Sequence, residues 1–230
     1  MKNIKILLLS VMVMLCGSNV NAQSIKVYKT DGTAITVPYS ELESIIAVED
    51  EGEESKYEFV DLGLSVKWAT CNVGAEKPED FGDYFSWGEI TTKSSYELNN
   101  SLTYEVEMED ISGNPEYDAA RAIWGGSARI PTSAEIDELV NDCTWEWTKE
   151  NGVDGMLVTG TNGNSIFLPA AGGRYEKELQ YAGQFGSYWG STPYEDLNLG
   201  AYRLDFYANG EHSTWWGYRV LGQTIRPVSD

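Results

Sequence analysis

The chain has 230 residues, with 36 acidic side chains against 16 lysines and arginines and a formal net charge of −20. So large an acidic excess repels nucleic acid and anionic lipid headgroups, which sets aside functions that rest on a basic surface. Three cysteines in a chain of this length are too few for a disulfide framework.

The chain opens MKNIKILLLSVMVMLCGSNVNAQS, where Lys2 and Lys5 precede an apolar run that gives way to small and polar residues. That order predicts a secretory signal peptide over residues 1–22, cleaved after Ala22, and an exported protein in the periplasm, on the outer cell surface or secreted. The apolar run is shorter than the ~20 residues that span a bilayer, so no transmembrane segment is expected. Lipidation at Cys16 is the weaker reading, because Leu15 stands where a lipobox has a small residue.

Residues 23–48 contain SIKVYKTDGTAITVPYS, alternating apolar and polar residues about Asp31-Gly32, the pattern of a β-hairpin. Ser40 and Glu43 then have the spacing of a capping box. Residues 49–55 form an acidic linker. From residue 56 to 230 no second break in composition occurs, and that length suits one domain.

Two helices are legible in this domain. In NPEYDAARAIWGG, Asn114 is the expected cap, Pro115 the first helical residue and Gly125 the stop. In PTSAEIDELVNDC, Thr132 and Glu135 form a capping box, and Ile136, Leu139, Val140 and Cys143 make an apolar stripe at i, i+3, i+4 and i+7. Beyond Trp147 the period becomes 2, with hairpins predicted about Asn162-Gly163 and Asn209-Gly210. In the second hairpin Tyr202, Leu204 and Phe206 share one face, and Arg203, Asp205 and Tyr207 the other. Helices followed by strands predict an α+β fold with a mainly antiparallel sheet.

Five ordered blocks, VDLGLSVKWATCNVGAEKPEDFGDYFSWGE, DAARAIWGGSARIPTSAEIDEL, NGNSIFLPAAGGRY, YWGSTPY and TIRPV, resemble the Fibrobacter succinogenes major paralogous domain. That family is related to the sulfatase-modifying-factor, or formylglycine-generating, enzymes. The resemblance implies a C-type lectin-like fold, with two helices on a small twisted antiparallel sheet and long irregular loops. The N-terminal hairpin is similar to the leader segment of secreted proteins from gut Bacteroidetes. Two positions depart from the family pattern, Ala128 in place of a tryptophan and Ile136 in place of an aromatic. Trp68, Trp87, Trp124 and Trp189 match positions expected in the core.

The enzymatic relatives use two late cysteines or a histidine cluster, whereas no cysteine follows Cys143 and His212 is the single histidine. No Gly-x-Ser-x-Gly elbow occurs either, so the chain is not expected to be an enzyme. Calcium is a secondary expectation, with Glu195, Asp196 and Asn198 as oxygen ligands in a loop that lacks EF-hand spacing. The Glu-Pro-Asn and Gln-Pro-Asp triplets of calcium-dependent sugar binding are absent. Cys71 and Cys143 either pair in one disulfide or remain buried thiols.

The adjacent Trp215 and Trp216 must point to opposite faces of a strand, so only one can enter a core. The ligand-binding residues expected from this are Tyr194, Tyr207, Glu211, His212, Trp215, Trp216, Tyr218 and Arg219, an aromatic face with polar neighbours. The leading expectation is a non-catalytic module that binds a glycan or a surface protein. The alternatives are an interaction protein of the cell envelope, a ligand-binding protein diversified by a retroelement and, lowest, an enzyme of unfamiliar chemistry.

Overall fold

The computed structural model describes residues 24–28, 34–38, 57–195 and 198–230. The signal peptide, the Asp31-Gly32 turn, the Ser40/Glu43 box, the acidic linker and Asp196 lie outside the described residues. The chain divides into two units, Met1–Glu54 and Ser55–Asp230. In the first, β1 (Ser24–Tyr28) and β2 (Ala34–Pro38) pair antiparallel, with Ser24 opposite Pro38 and Tyr28 opposite Ala34.

The second unit is α+β, with two helices and strands that pair antiparallel in every ladder. The strands form several small sheets where one was expected. β3 (Phe59–Asp61) and β4 (Lys67–Ala69) are joined by β13 (Val228–Ser229), which brings the C-terminal segment back beside the start of the unit. β5 (Thr144–Glu150), β6 (Val153–Thr159) and β7 (Ser165–Pro169) form a meander, and β8 (Gly173–Tyr175) and β9 (Glu178–Gln180) a short ribbon. β10 (Phe185–Pro193), β11 (Gly200–Tyr207) and β12 (His212–Tyr218) form the last sheet, with β12 at its edge.

Helix α2 (Ser133–Asp142) starts where the capping box places it: the Thr132 hydroxyl accepts the Glu135 N–H, and the Glu135 carboxylate accepts the Thr132 N–H at 2.8 Å. Ile136 and Leu139 are buried, and Val140 and Cys143 pack against the same core. β5 follows at once, so period 2 begins at Thr144, three residues before Trp147. Helix α1 (Ala119–Trp124) corrects the expected start. Asn114 and Pro115 belong to a preceding turn, and the cap is Asp118, whose buried carboxylate accepts N–H groups of Gly113 at 2.7 Å, Arg121 at 3.0 Å and Ile130 at 2.9 Å. Burial raises its pKa, against the pull of those donors. One aspartate thus starts the helix and fixes the loops on both sides, which Asn114 could not do. Gly125 ends α1 with φ of 69°, as expected.

Two apolar cores lie on opposite faces of β10 and β11. Tyr188, Leu204 and Phe206 face the core formed with α2, β4, β6 and β7, whereas Trp189 and Ala201 face the core of Val73, Phe85, Trp87, Ile111, Ile130 and Ile225. Strand alternation produces this division directly. Gly186 is required within it, because a Cβ there would stand 2.1 Å from the Phe206 ring. Trp68, Trp87 and Trp189 are buried, but Trp124 is only half-buried and stacks on Tyr57 with centroids 3.7 Å apart. Ala128 and Ile136 are both buried.

Trp189 also donates from its indole to the Phe85 carbonyl at 2.8 Å. Trp189→Ala is therefore expected to cost about 3–5 kcal/mol, read as a fall in unfolding free energy in denaturant titration. A second prediction concerns pH. Burial acts to raise the Glu135 carboxyl, but the Arg129 guanidinium at 2.6 and 2.9 Å and the Thr132 N–H outweigh it, and the net shift is downward. A depressed carboxylate stabilises the fold above its unfolded value of 4.5, and that contribution is lost as pH falls through the lower folded value. The Tm advantage of the chain over Glu135→Gln should thus shrink between about pH 6 and about pH 3.

Candidate functional site

The β11–β12 hairpin carries most of the expected site residues. Asn209 and Gly210 make its turn, with Gly210 at φ of 88° and the Glu211 N–H donating to Asn209 Oδ1 at 3.1 Å. The register pairs Tyr202 with Trp216, Arg203 with Trp215, Asp205 with Ser213 and Phe206 with His212. The hairpin is continuous with β10, whose Ser187 donates to Asp205 at 2.9 Å. A side chain on this hairpin is therefore held by a three-stranded ladder.

Trp215 is the outward member of the tryptophan pair, 58% exposed. Directly across the strand lies Arg203, whose guanidinium binds Asp205 at 2.9 Å and covers Gly217, where a Cβ would meet Arg203 Nη1 at 2.7 Å. Burial raises the Asp205 carboxyl and the Arg203 charge opposes that shift. The pair is largely desolvated, so Arg203 offers no free positive charge at this face. Sequence alternation had already grouped Arg203, Asp205 and Tyr207, but it could not show that the first two form the polar floor beside Trp215.

Trp216 points to the opposite face and is half-buried in an aromatic group. It stacks on Tyr194 at 5.0 Å and meets Tyr218 edge-on at 5.5 Å, and Tyr194 meets Tyr202 edge-on at 5.5 Å. Gly200 leaves the space they fill, since a Cβ there would lie 3.0 Å from Trp216. Tyr218 is the exposed member.

The expected single aromatic face is thus corrected to two. Trp215 and Tyr207 share one side of the hairpin, while Trp216, Tyr218 and Tyr194 lie on the other. Tyr207 is exposed but sits at the turn, opposite Glu211, about 13 Å from Trp215 at ~3.3 Å per residue. It packs on Phe185 at 4.7 Å. Glu211 is exposed at the turn. His212 is half-buried, stacked on Trp145 at 4.5 Å, with Nδ1 2.9 Å from the Gly210 carbonyl oxygen.

Arg219 is a further correction, because it is fully buried and meets no ligand surface. Its guanidinium lies over the Trp87 ring at 4.3 Å and donates to the carbonyls of Gly200 at 2.9 Å, Thr103 at 3.1 Å and Val106 at 2.7 Å. Desolvation lowers its pKa to about 10. A chain turning inward after an edge strand takes the next long side chain with it, and the sequence carried no signal of that turn.

Of the calcium candidates, Glu195 and Asn198 are exposed, and the Asn198 carbonyl accepts the Glu105 N–H at 2.9 Å. Among the described residues no group of three or more His, Cys, Asp or Glu side chains is placed to hold a metal ion. Cys71 and Cys143 are both free thiols; Cys71 is buried as the second reading has it, whereas Cys143 is only half-buried. Burial raises both, Cys143 to about 11. No helix among the described residues is long and apolar enough to cross a membrane. No protein-family model, no curated protein and no solved structure matches the chain.

The two tryptophans should separate in stability. Trp215→Ala is expected to leave unfolding free energy within about 1 kcal/mol, whereas Trp216→Ala, which opens a gap beneath Tyr194, should cost about 2 kcal/mol. Paired denaturant titrations check both.

Proposed function

We propose that the chain is an exported, non-catalytic binding module of C-type lectin-like fold that recognises a glycan through Trp215. The observation that carries this reading is a tryptophan more than half exposed on a strand that is hydrogen-bonded within a sheet, beside the Arg203–Asp205 pair. A flat indole with polar groups at its edge offers an apolar sugar face somewhere to stack, at little entropic cost because the strand is already ordered. The five sequence blocks that resemble the Fibrobacter succinogenes major paralogous domain support the fold assignment, and the leader over residues 1–22 supports export. The non-catalytic reading draws support from the single histidine, His212, being held against Trp145.

A glycan array probed with the exported chain tests the function. Saturable binding is expected, and Trp215→Ala should weaken it by about 2 kcal/mol, close to thirtyfold, with Tm unchanged. Capture of an envelope protein without any glycan binding would replace this reading with that of an interaction protein. Turnover of a glycan would make the chain an enzyme. Mass spectrometry of the exported protein should find Gln23 at its N-terminus.

A further inference from the structure

Beside the open end of the β11–β12 hairpin, where Arg219 ties Gly200 to Thr103 and Val106, the segment from residue 102 to residue 111 and the turn ending at Tyr117 enclose an open groove of about 330 Å3. This is at the lower end of the ~300–1,000 Å3 of small-ligand clefts, enough for a few side chains. Its apolar lining is aliphatic for the most part. Leu102 is 75% exposed and Val106 45%, Met108 packs on the second core, and Ile111 is buried beneath. Exposed aliphatic side chains gathered in one concave place mark an interaction site more strongly than the same residues scattered.

The groove is preformed. Thr103 donates to the Trp87 carbonyl at 2.6 Å, and the carbonyls of Thr103 and Val106 are both held from behind by Arg219. The Ile111 N–H donates to the Ser191 carbonyl at 3.2 Å, and Asp110 accepts from Thr192 Oγ1 at 2.6 Å. Between these anchors Glu105 takes φ of 62°, a left-handed conformation that a residue with a side chain holds only when its surroundings impose it.

The rim carries one sign of charge. Glu107, Glu109 and Asp110 line the groove and no lysine or arginine does. Arg219 is buried behind the wall with Nη1 committed to carbonyls, and the nearby Lys93 and Arg129 are paired with Glu89 and Glu135. The chain as a whole adds a charge of −20. Such a field draws in cations and repels acidic partners and anionic membranes. Aliphatic walls offer sugar rings little to stack on, since Tyr117 is the one aromatic in the lining.

We propose that this groove binds a short peptide segment of a partner protein, in which lysine or arginine flanks an aliphatic side chain. The aliphatic group enters between Leu102 and Val106, and the cations meet Glu107 and Glu109 at the rim. This site is separate from Trp215 and does not depend on the glycan reading.

The test is an NMR titration of the full exported chain with acetyl-Lys-Leu-Leu-Lys-amide. Saturable shifts are expected at the amides of Leu102, Val106, Glu107 and Glu109. Binding should weaken about fivefold when salt rises from about 20 mM to about 150 mM, and about fivefold again in Glu107→Gln/Glu109→Gln. Both glutamates are exposed, so that variant should keep its remaining spectrum. Trp215→Ala should leave peptide binding unchanged while it weakens glycan binding about thirtyfold, which keeps the two proposals apart. The proposal is overturned if no shifts occur at these amides, or if acetyl-Lys-Ser-Ser-Lys-amide or acetyl-Glu-Leu-Leu-Glu-amide binds equally well. It is also overturned if maltohexaose shifts the same residues.

Discussion

Arg226 is fully buried, makes no ion pair among the described residues, and is satisfied by acceptors drawn from distant parts of the second unit. Its guanidinium donates to Asn72 Oδ1 at 2.8 Å, the Ala69 carbonyl at 3.0 Å and the Phe167 carbonyl at 2.9 Å. Those acceptors come from the end of β4, the stretch after it and β7, far apart in sequence. Desolvation lowers its pKa. A buried cation is tolerated only where dipoles replace its water, so these strands must approach the C-terminal segment together or not at all. The neighbouring backbone follows the same path, with Val73 donating to the Ile225 carbonyl, Phe85 to Gln223, and Arg129 to Val228. Arg219 repeats the arrangement on the other core, where it ties β11 to the segment behind the acidic groove.

This ordering at the C-terminus explains how a unit with short strands and long loops holds a defined surface. Each loop is anchored by a few buried polar contacts, such as Asp118 at α1 or Thr103 beneath Trp87. The sheets are too small to impose the loops by themselves. Packing and carbonyl capture share the task, with tryptophans at the contacts: Trp87 lies under Arg219 and donates to the Gly190 carbonyl at 2.9 Å.

Where one local rule governs an element, the sequence was enough. The capping box and stripe of α2, the Asn-Gly hairpins and the two faces of β11 all follow from spacing and turn chemistry, and each is found where expected. The start of α1 was not legible, because Asn114 and Asp118 are both good caps and the choice rests on contacts to Gly113 and Ile130. The candidate site was half legible. Alternation foretold that Trp215 and Trp216 would part, but not which of them the Tyr194 group would claim. Arg219 was misplaced because its burial depends on a turn after β12 and on carbonyls more than a hundred residues earlier in the chain. The groove at residues 102–117 lies in irregular backbone, where no periodic signal exists to read.

The alternation along β12 has an evolutionary consequence. Ser213 and Trp215 stand on the solvent side, while Thr214 and Trp216 are partly enclosed on the other. Drift at the first pair disturbs no packing, whereas drift at the second loosens the Tyr194 group and the Thr214–Asp137 contact. A lineage can therefore change the solvent face of the hairpin without passing through unfolded intermediates, so long as changes fall on every other residue. Such a strand lets a surface change quickly on a slowly changing scaffold.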